Sequence, residues 1–366
     1  MTTRSDGASP ALAFTFCDTI ACFRAHLPRG LVTPDAERQL VALGAHLPAT
    51  MTNWAHIECR LDARPQTDLI IQVEPLGRAA LTRHALSASR TALAGASWNG
   101  IRALARQWER QGEASAIGRL WLEFDLPADD VDAHPAPSVF IELSPDARRR
   151  AESGRVQSAL RSALAALGSP DASERQRRLL ARCVEALPRG ATLFAIGAMM
   201  SRVGAPLRLC LMGIADDALG PYLDDAGWPG DWRELGPRFA DAASAIGGPP
   251  SHAGIVHLDL GDDLLPRLGV ELVLDRRAQV RGGLLERGLL DRLVEWGCCT
   301  PDKSAALLTW AGVSRRTMPH ELWPSLALRR VNHVKLVHAS GQPLEAKAYL
   351  CMAHEHDLLP RAEARL

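Results

Sequence analysis

Tyrosine is almost missing from this chain: Tyr222 and Tyr349 are the only two in 366 residues. Any aromatic-lined site must therefore draw mainly on nine tryptophans and seven phenylalanines. No uninterrupted apolar run approaches the roughly 18 residues that a membrane-spanning helix needs. The eight cysteines, at 17, 22, 59, 183, 210, 298, 299 and 351, contain no Cys-x-x-Cys pair, so neither a zinc ribbon nor a disulfide framework is indicated. Excess charge is missing too. Lys plus Arg and Asp plus Glu number 42 each, which removes any global field toward nucleic acid or an anionic membrane. The opening MTTRSDGASPALAF has no basic segment followed by an apolar run, so no secretory signal is expected. Reduced thiols and a cytoplasmic location are the expectation. No Gly-rich phosphate loop occurs, Gly247-Gly248 and Gly282-Gly283 read as loop glycines, and no cofactor or metal is implied. No basic-plus-aromatic stripe argues for nucleic acid.

What is present is a repeated sentence of helix followed by hairpin. Hydrophobic residues make up 47% and charged residues 23%, ordinary globular usage. Residues 1–15 read as a disordered tail, 16–352 as a single domain, and 353–366 as a second tail. Residues 53–61 (NWAHIECRL) alternate strictly and 68–74 (DLIIQVE) more loosely, with turn material between them, so the pair reads as a hairpin. An Ala/Leu/Arg-rich stretch over 77–111 reads as helical. The pattern then recurs with strands expected at 118–125 and 138–143, at 191–199 and 207–212, at 254–260 and 269–275, and at 333–337 and 345–351. Helical stretches are expected at 146–187, 215–247, 281–297 and 302–311. Ten antiparallel strands in an open sheet would leave edges to protect, and closing the sheet removes them. The expected fold is thus α/β: a ten-stranded antiparallel barrel of αββα units with helices outside. A two-domain α+β protein is the alternative.

In such a barrel the greasy side of each strand faces the helices and the other side faces a lumen. Ala55, Ile57, Cys59 and Leu61 go outward, leaving Trp54, His56, Glu58 and Arg60 inside. Leu120, Leu122 and Phe124 go outward, leaving Trp121, Glu123 and Asp125. The same logic sends Gln72, Glu74, Glu142, Arg208, Cys210, His257, Asp259, Glu271, His333, Lys335, Lys347 and Tyr349 inward. Charged groups are rarely buried unpaired, so this set should line a solvated pocket or bind something.

The order helix, hairpin, helix, hairpin resembles the αββα repeat of the aromatic prenyltransferases, the PT-barrel or ABBA family, over nearly the whole chain. That family holds an allylic diphosphate with Lys and Arg side chains, often in basic-x-Tyr triplets whose tyrosines shield the carbocation. Lys347-Ala348-Tyr349 fits the triplet, Arg208-Leu209-Cys210 has Cys in the Tyr position, and Lys335-Leu336-Val337 has Val. With two tyrosines, Trp54, Trp121 and Phe140 would have to supply the shield. The resemblance implies a transferase whose partners are an allylic diphosphate and an aromatic small molecule or peptide side chain. It implies Arg208, Lys335, Lys347, Tyr349 and Trp121 as substrate-binding residues and Glu58 as catalytic; the inward set from alternation adds Arg60 and His333 to the binding candidates and His257 and Glu271 to the catalytic ones. Cations at the leaving group stabilise developing negative charge, and a carboxylate such as Glu58 could orient or deprotonate the acceptor.

Two further readings stay open. His56-Ile57-Glu58 and His257-Leu258-Asp259 each put an imidazole and a carboxylate on one strand face, as acid/base or metal chemistry would use. A barrel that holds a peptide or small ligand without chemistry is the other. His354-Glu355-His356-Asp357 looks metal-like but reads more simply as part of a polar tail, and Cys298-Cys299 reads as buried packing.

Overall fold

The computed structural model describes residues 14–87, 96–112, 115–127, 135–150, 154–168, 174–202, 204–246, 253–275, 279, 287–318 and 321–357. Four hairpins come first: β1 (Trp54–Arg60) with β2 (Thr67–Val73), β3 (Ile117–Phe124) with β4 (Ser138–Leu143), β5 (Thr192–Ala198) with β6 (Leu207–Met212), and β7 (Ala253–Leu260) with β8 (Leu264–Val273). The short β9 (Gly312–Thr317) precedes a long final pair, β10 (Pro324–Ala339) and β11 (Glu345–His356). Every pairing is antiparallel, β8 pairs with β10, and β11 returns to β1, so ten strands close into a barrel. The two-domain α+β alternative is overturned, because all the described strands belong to this one sheet.

The helices wrap outside: α1 (Phe16–Phe23), α2 (Pro34–Gly44), α3 (Arg78–Ser87), α4 (Ala96–Gln111), α5 (Pro145–Arg148), α6 (Gly154–Ala166), α7 (Glu174–Glu185), α8 (Asp216–Ala226), α9 (Trp232–Ala245), α10 (Arg287–Glu295) and α11 (Pro301–Leu307). Three of them start on the same local chemistry. Thr33-Pro34, Ser144-Pro145 and Thr300-Pro301 each put proline in the first turn, where its missing N–H costs nothing. The preceding hydroxyl accepts from the backbone N–H of Ala36, Ala147 or Lys303. Helix α4 buries Trp98, Ile101, Leu104, Ala105 and Trp108 at helical spacing against the sheet. Trp108 also donates its Nε1–H to the Ile117 carbonyl at 3.0 Å, which satisfies the indole in the core.

The outward residues expected from alternation form that core. Ala55, Ile57, Cys59, Leu61, Leu120, Leu122 and Phe124 are all within 1% of complete burial. Three departures have identifiable causes. Strand β8 starts at Leu264 rather than 269, because Pro266 interrupts the run that alternation depends on. Strand β10 starts at Pro324, and a register shift between Val331 and Val334 breaks its alternation mid-strand. Its first half pairs with β9, which the sequence reading omitted. Strand β11 runs on to His356, past the expected end of the domain at Met352. His354 therefore sits in the sheet, 3.2 Å from Glu321, rather than in a tail. Residues 1–13 and 358–366, read as tails, lie outside the described residues, and Thr15 is bridged to Pro48.

Alternation gives a direct test. Ile57→Ala removes packing on the helix-facing side and should lower stability by about 2–5 kcal/mol in urea denaturation. Glu74→Ala on the opposite face should stay within about 0.5 kcal/mol. Equal losses would contradict the assignment of faces.

Candidate active site in the barrel lumen

All five hairpin turns lie at one end of the barrel, because each hairpin enters and leaves through the other end. The two ends differ chemically. Toward the helix-connected end, a cavity of about 540 Å³ is lined by Trp54, His56, Gln72, Glu74, Trp121, Glu123, Glu142, Cys210, His257, Glu271, His333, Lys335 and Tyr349 among others. Those thirteen were assigned to the lumen from alternation. The turn end is closed by paired charges. Arg208 donates to both carboxylate oxygens of Asp259, at 2.6 and 2.9 Å, and the two are cross-strand neighbours. Lys347 donates to Glu58, and Arg202 reaches Glu123 at 2.5 Å and Asp125 at 3.3 Å. Arg60 pairs with Glu345 at 2.9 Å and donates to Gln66 at 2.9 Å.

The candidate residues therefore fall into two groups. Trp121, His257, Glu271, His333, Lys335 and Tyr349 meet at the main cavity. Glu58, Arg60 and Lys347 sit in the turn-end layer and are absent from its lining, while Arg208 lines a smaller annex. Glu58 also accepts from the Tyr349 hydroxyl. Its burial would raise its pKa, but Lys347 and Tyr349 outweigh that and hold it well below the usual carboxylate range. The Tyr349 phenol is held well above its ordinary value by burial and by Glu58.

The annex, of about 10 Å³, shares His257 and Lys335 with the main cavity and adds Arg208, Asp259, Arg267, Gly269 and Val337. Three cations thus face one carboxylate, since Arg267 also reaches Asp259, at 3.5 Å. Burial, and then the charge of Arg208, pulls Lys335 down to about 8, against the opposing pull of Glu271 and Glu58. Arg267 is lowered by burial and then by Arg208. Lys335 makes neither a hydrogen bond nor an ion pair among the described residues; its cross-strand neighbours are Glu271 on β8 and Lys347 on β11. Gly269 makes room for it, because a Cβ there would come within 2.7 Å of the Lys335 Cε.

Aromatic and imidazole rings line the wall above this floor. His56 stacks on Trp121 with centroids 5.8 Å apart and planes 12° from parallel, and it accepts from Trp54 Nε1 at 2.9 Å. His333 stacks on Tyr349 at 3.9 Å. Asn332 and His333 both line the cavity although consecutive, which the β10 bulge explains. Beside them His257 bonds Glu271 at 2.7 Å, and Glu271 is 3.5 Å from His333. Burial, with Lys335 and Arg208, holds His257 well below its ordinary pKa, so it is a neutral base at pH 7. At the mouth, Glu142 gathers Arg119 at 3.0 Å, Arg148, and the Trp121 indole N–H at 2.9 Å. Among the described residues no group of three or more His, Cys, Asp or Glu side chains is arranged to hold a metal ion. No described helix is long and apolar enough to cross a membrane.

The sequence reading missed several wall residues. Arg267 was hidden by Pro266, and Arg148 and Phe194, whose ring lies 4.4 Å from the Arg148 guanidinium, carry no strand-alternation signal of their own. Arg119 was legible, since it alternates with Trp121 and Glu123 on β3.

Removing one partner of a buried pair strands the other charge, at a cost of about 3–5 kcal/mol. Glu58→Gln should therefore destabilise the chain by that order. Glu58→Gln with Lys347→Gln should recover most of the loss. A single variant with an unshifted denaturation midpoint would mean the pair is not closed off from water.

No protein-family model matches the chain, and no curated protein matches it. Solved structures do match its fold. Prenyltransferase PriB, crystallised with product diphosphate and in a ternary complex with L-tryptophan and dimethylallyl thiolodiphosphate, has a TM-score of 0.51 and 17% identity in each case. Both matches cover 92% of this chain and 94% of the other. The 5-dimethylallyltryptophan synthase of Streptomyces coelicolor gives 0.50 and 15% identity, over 92% of this chain and 97% of its own. The likeness is one of fold: this closed ten-stranded barrel with helices outside is the PT-barrel.

Proposed function

We propose that this PT-barrel is a transferase of the prenyltransferase type, moving an allylic group from its diphosphate to an aromatic acceptor inside the lumen. The observation that carries this reading is the cation cluster at the floor, where Arg208 and Arg267 share the carboxylate of Asp259, and Lys335, in no ion pair among the described residues, lines the same annex. Arg208 is held charged by Asp259 and in turn adds to burial in lowering Lys335 and Arg267, so an anion arriving beside those two relieves the strain. A diphosphate seated above the annex would reach Lys335 from the lumen, with the two guanidinium groups behind it. As the C–O bond of the donor breaks, those charges stabilise the departing diphosphate.

The acceptor would lie above, among Trp121, His56, Tyr349 and His333, where ring faces shield the allylic cation and exclude water. His257, neutral and bonded to Glu271, is placed to take the proton that the acceptor ring loses after the new C–C bond forms. In this reading Glu58 and Lys347 are positioning residues that fix Tyr349 and neutralise the floor, while Arg60 lies behind them. The complexes of PriB with L-tryptophan and a dimethylallyl diphosphate analogue support a choice of indole as first acceptor to test. A peptide side chain stands as a further candidate acceptor.

One observation favours a second reading. Glu271 lies between His257 and His333, an acid/base constellation that would serve a ligand without a diphosphate.

Binding of dimethylallyl diphosphate by calorimetry separates the two, followed by mass analysis of products with a panel of indoles and phenols. Lys335→Met and Arg267→Met should each weaken diphosphate binding by roughly tenfold to a hundredfold, the scale of a lost charge-assisted hydrogen bond. Absence of binding at millimolar donor would overturn the transferase reading in favour of the second.

The pH dependence has a defined sign. Lys335 attracts the anion only when protonated, so affinity should be full below its pKa of about 8 and decline as pH rises through that value. Binding should take up protons near pH 8, and Lys335→Met should abolish both effects.

A further inference from the structure

One group in the lumen, Cys210, is not used by the reaction above, although it lies against the His257–Glu271 pair that is. Cys210 on β6 and His257 on β7 are cross-strand neighbours, with Sγ 3.5 Å from Nδ1. The far nitrogen, Nε2, is 2.7 Å from Glu271 Oε1. A carboxylate at Nε2 holds the proton there, which turns the Nδ1 lone pair toward the thiol. Nucleophile, base and orienting carboxylate are therefore in sequence, the arrangement by which a weak nucleophile is activated. Cys210 is the one cysteine in the lining of the cavity, whereas Cys59, Cys183, Cys298 and Cys299 are packed in the hydrophobic core. It also stands two residues along β6 from Arg208, beside the cation cluster.

We propose that Cys210 is a covalent nucleophile toward carbon electrophiles held in the lumen, with His257 as its general base and Glu271 orienting the imidazole. The identity of the electrophile rests on the reading above: an allylic diphosphate, its diphosphate over Lys335. In the step, the Cys210 sulfur forms a bond to the allylic carbon and the carbon–oxygen bond to diphosphate breaks. The thiol proton passes to His257 Nδ1, and the diphosphate leaves with its electron pair toward Arg208, Arg267 and Lys335. The resulting imidazolium is held against Glu271. The product is a thioether, from which this site has no means of releasing the allyl group, so the reaction marks the chain once. An acceptor in the cavity competes with it.

The chemistry suits the environment. Burial pushes the Cys210 thiol up to about 12, and His257 is held well below its usual value, so both are neutral at pH 7. Proton transfer therefore accompanies S–C bond formation rather than preceding it. A neutral thiol of this kind spares weak electrophiles and, with the base beside it, reacts with strong ones that enter the lumen. The position of Cys210 is where the basic-x-Tyr triplet has its aromatic ring, so a nucleophile stands where a shield would be.

The test incubates the full chain with dimethylallyl diphosphate and no acceptor, reads intact mass and maps the modified peptide, and measures binding of the same diphosphate by calorimetry. One C5H8 unit per chain is expected on Cys210, absent in Cys210→Ser and slowed roughly a hundredfold in His257→Gln, the scale of general-base assistance. Diphosphate binding with an unmodified chain, or addition at another cysteine, overturns the proposal and leaves the transferase reading standing. Failure to bind diphosphate overturns the transferase reading instead. N-ethylmaleimide mapping then decides on Cys210: labelling there that slows in His257→Gln upholds the nucleophile. Reaction at the half-buried Cys17 and Cys22 with Cys210 untouched overturns it.

Discussion

The interior of this barrel is governed by the cost of a buried charge. Taking an ammonium or carboxylate out of water costs several kcal/mol unless a partner with good geometry compensates it. Nearly every charged lumen residue meets that condition: Arg208 with Asp259, Lys347 with Glu58, Arg202 with Glu123, and Arg119 and Arg148 with Glu142. These pairs lie in two tiers, one sealing the hairpin-turn end and one at the open mouth. Between them the rings and histidines define the cavity. Pairing of this kind fixes side chains that would otherwise be long and mobile, so the cavity keeps its shape without filling with apolar side chains. The departures from balance then become informative. Lys335 and Arg267 are cations beyond what Asp259 can neutralise, and they occur together at one place.

Much of this was visible in the linear sequence, because the property that positions each side chain is strand alternation. A period of two over segments such as NWAHIECRL and GRLWLEFD divides core from lumen with no knowledge of partners. The strand count and closure followed from the number of such segments and the cost of leaving edges. What alternation cannot supply is register. Glu58 faces Tyr349 directly and Lys347 faces Arg60, so the Glu58–Lys347 bond runs diagonally and is set by how the strands are staggered. The inward cations therefore read as candidate ligands for an anion, and register pairs Arg60, Arg208 and Lys347 each with a carboxylate. The bulge at 331–334 and the proline at 266 hid the rest, since each breaks the period that the reading relied on.

Scarcity of tyrosine reshapes the wall. Tyr349 is the one tyrosine in the cavity lining, and its hydroxyl is committed to Glu58. The remaining aromatic surface comes from Trp54, Trp121, Phe140 and Phe194, with His56 and His333 stacked between or against them. Indole presents a larger π face than phenol and is the better partner for a cation, so in the proposed reaction tryptophan can take the shielding role. Imidazoles behave differently. A neutral ring stacks like an aromatic, but it also carries a lone pair that can accept a proton or be alkylated. In the proposed reaction, water exclusion and proton removal would rest on the same side chains, tying the protonation state of the wall to its ability to shelter a cation.

Gly269 shows how finely the floor depends on backbone. On β8 it faces His257 across the strand pair, and Lys335 lies over it with Cε within 2.7 Å of where a Cβ would be. A side chain at this position would push the lysine up into the cavity or over toward Lys347, its neighbour on β11. The absence of one lets the ammonium sit low, between the Cys210–His257–Glu271 line and the two guanidinium groups of the annex. In the two proposed reactions one cation would serve both an anion on the floor and a nucleophile on the wall, since the charge that receives a leaving group also favours the thiolate character that develops as the sulfur attacks. The placement of Lys335 has a simple geometric reason. Gly269, opposite His257 on β7 and Val337 on β10, has no side chain, and the Lys335 stem leans from the next inward position of β10 into that space.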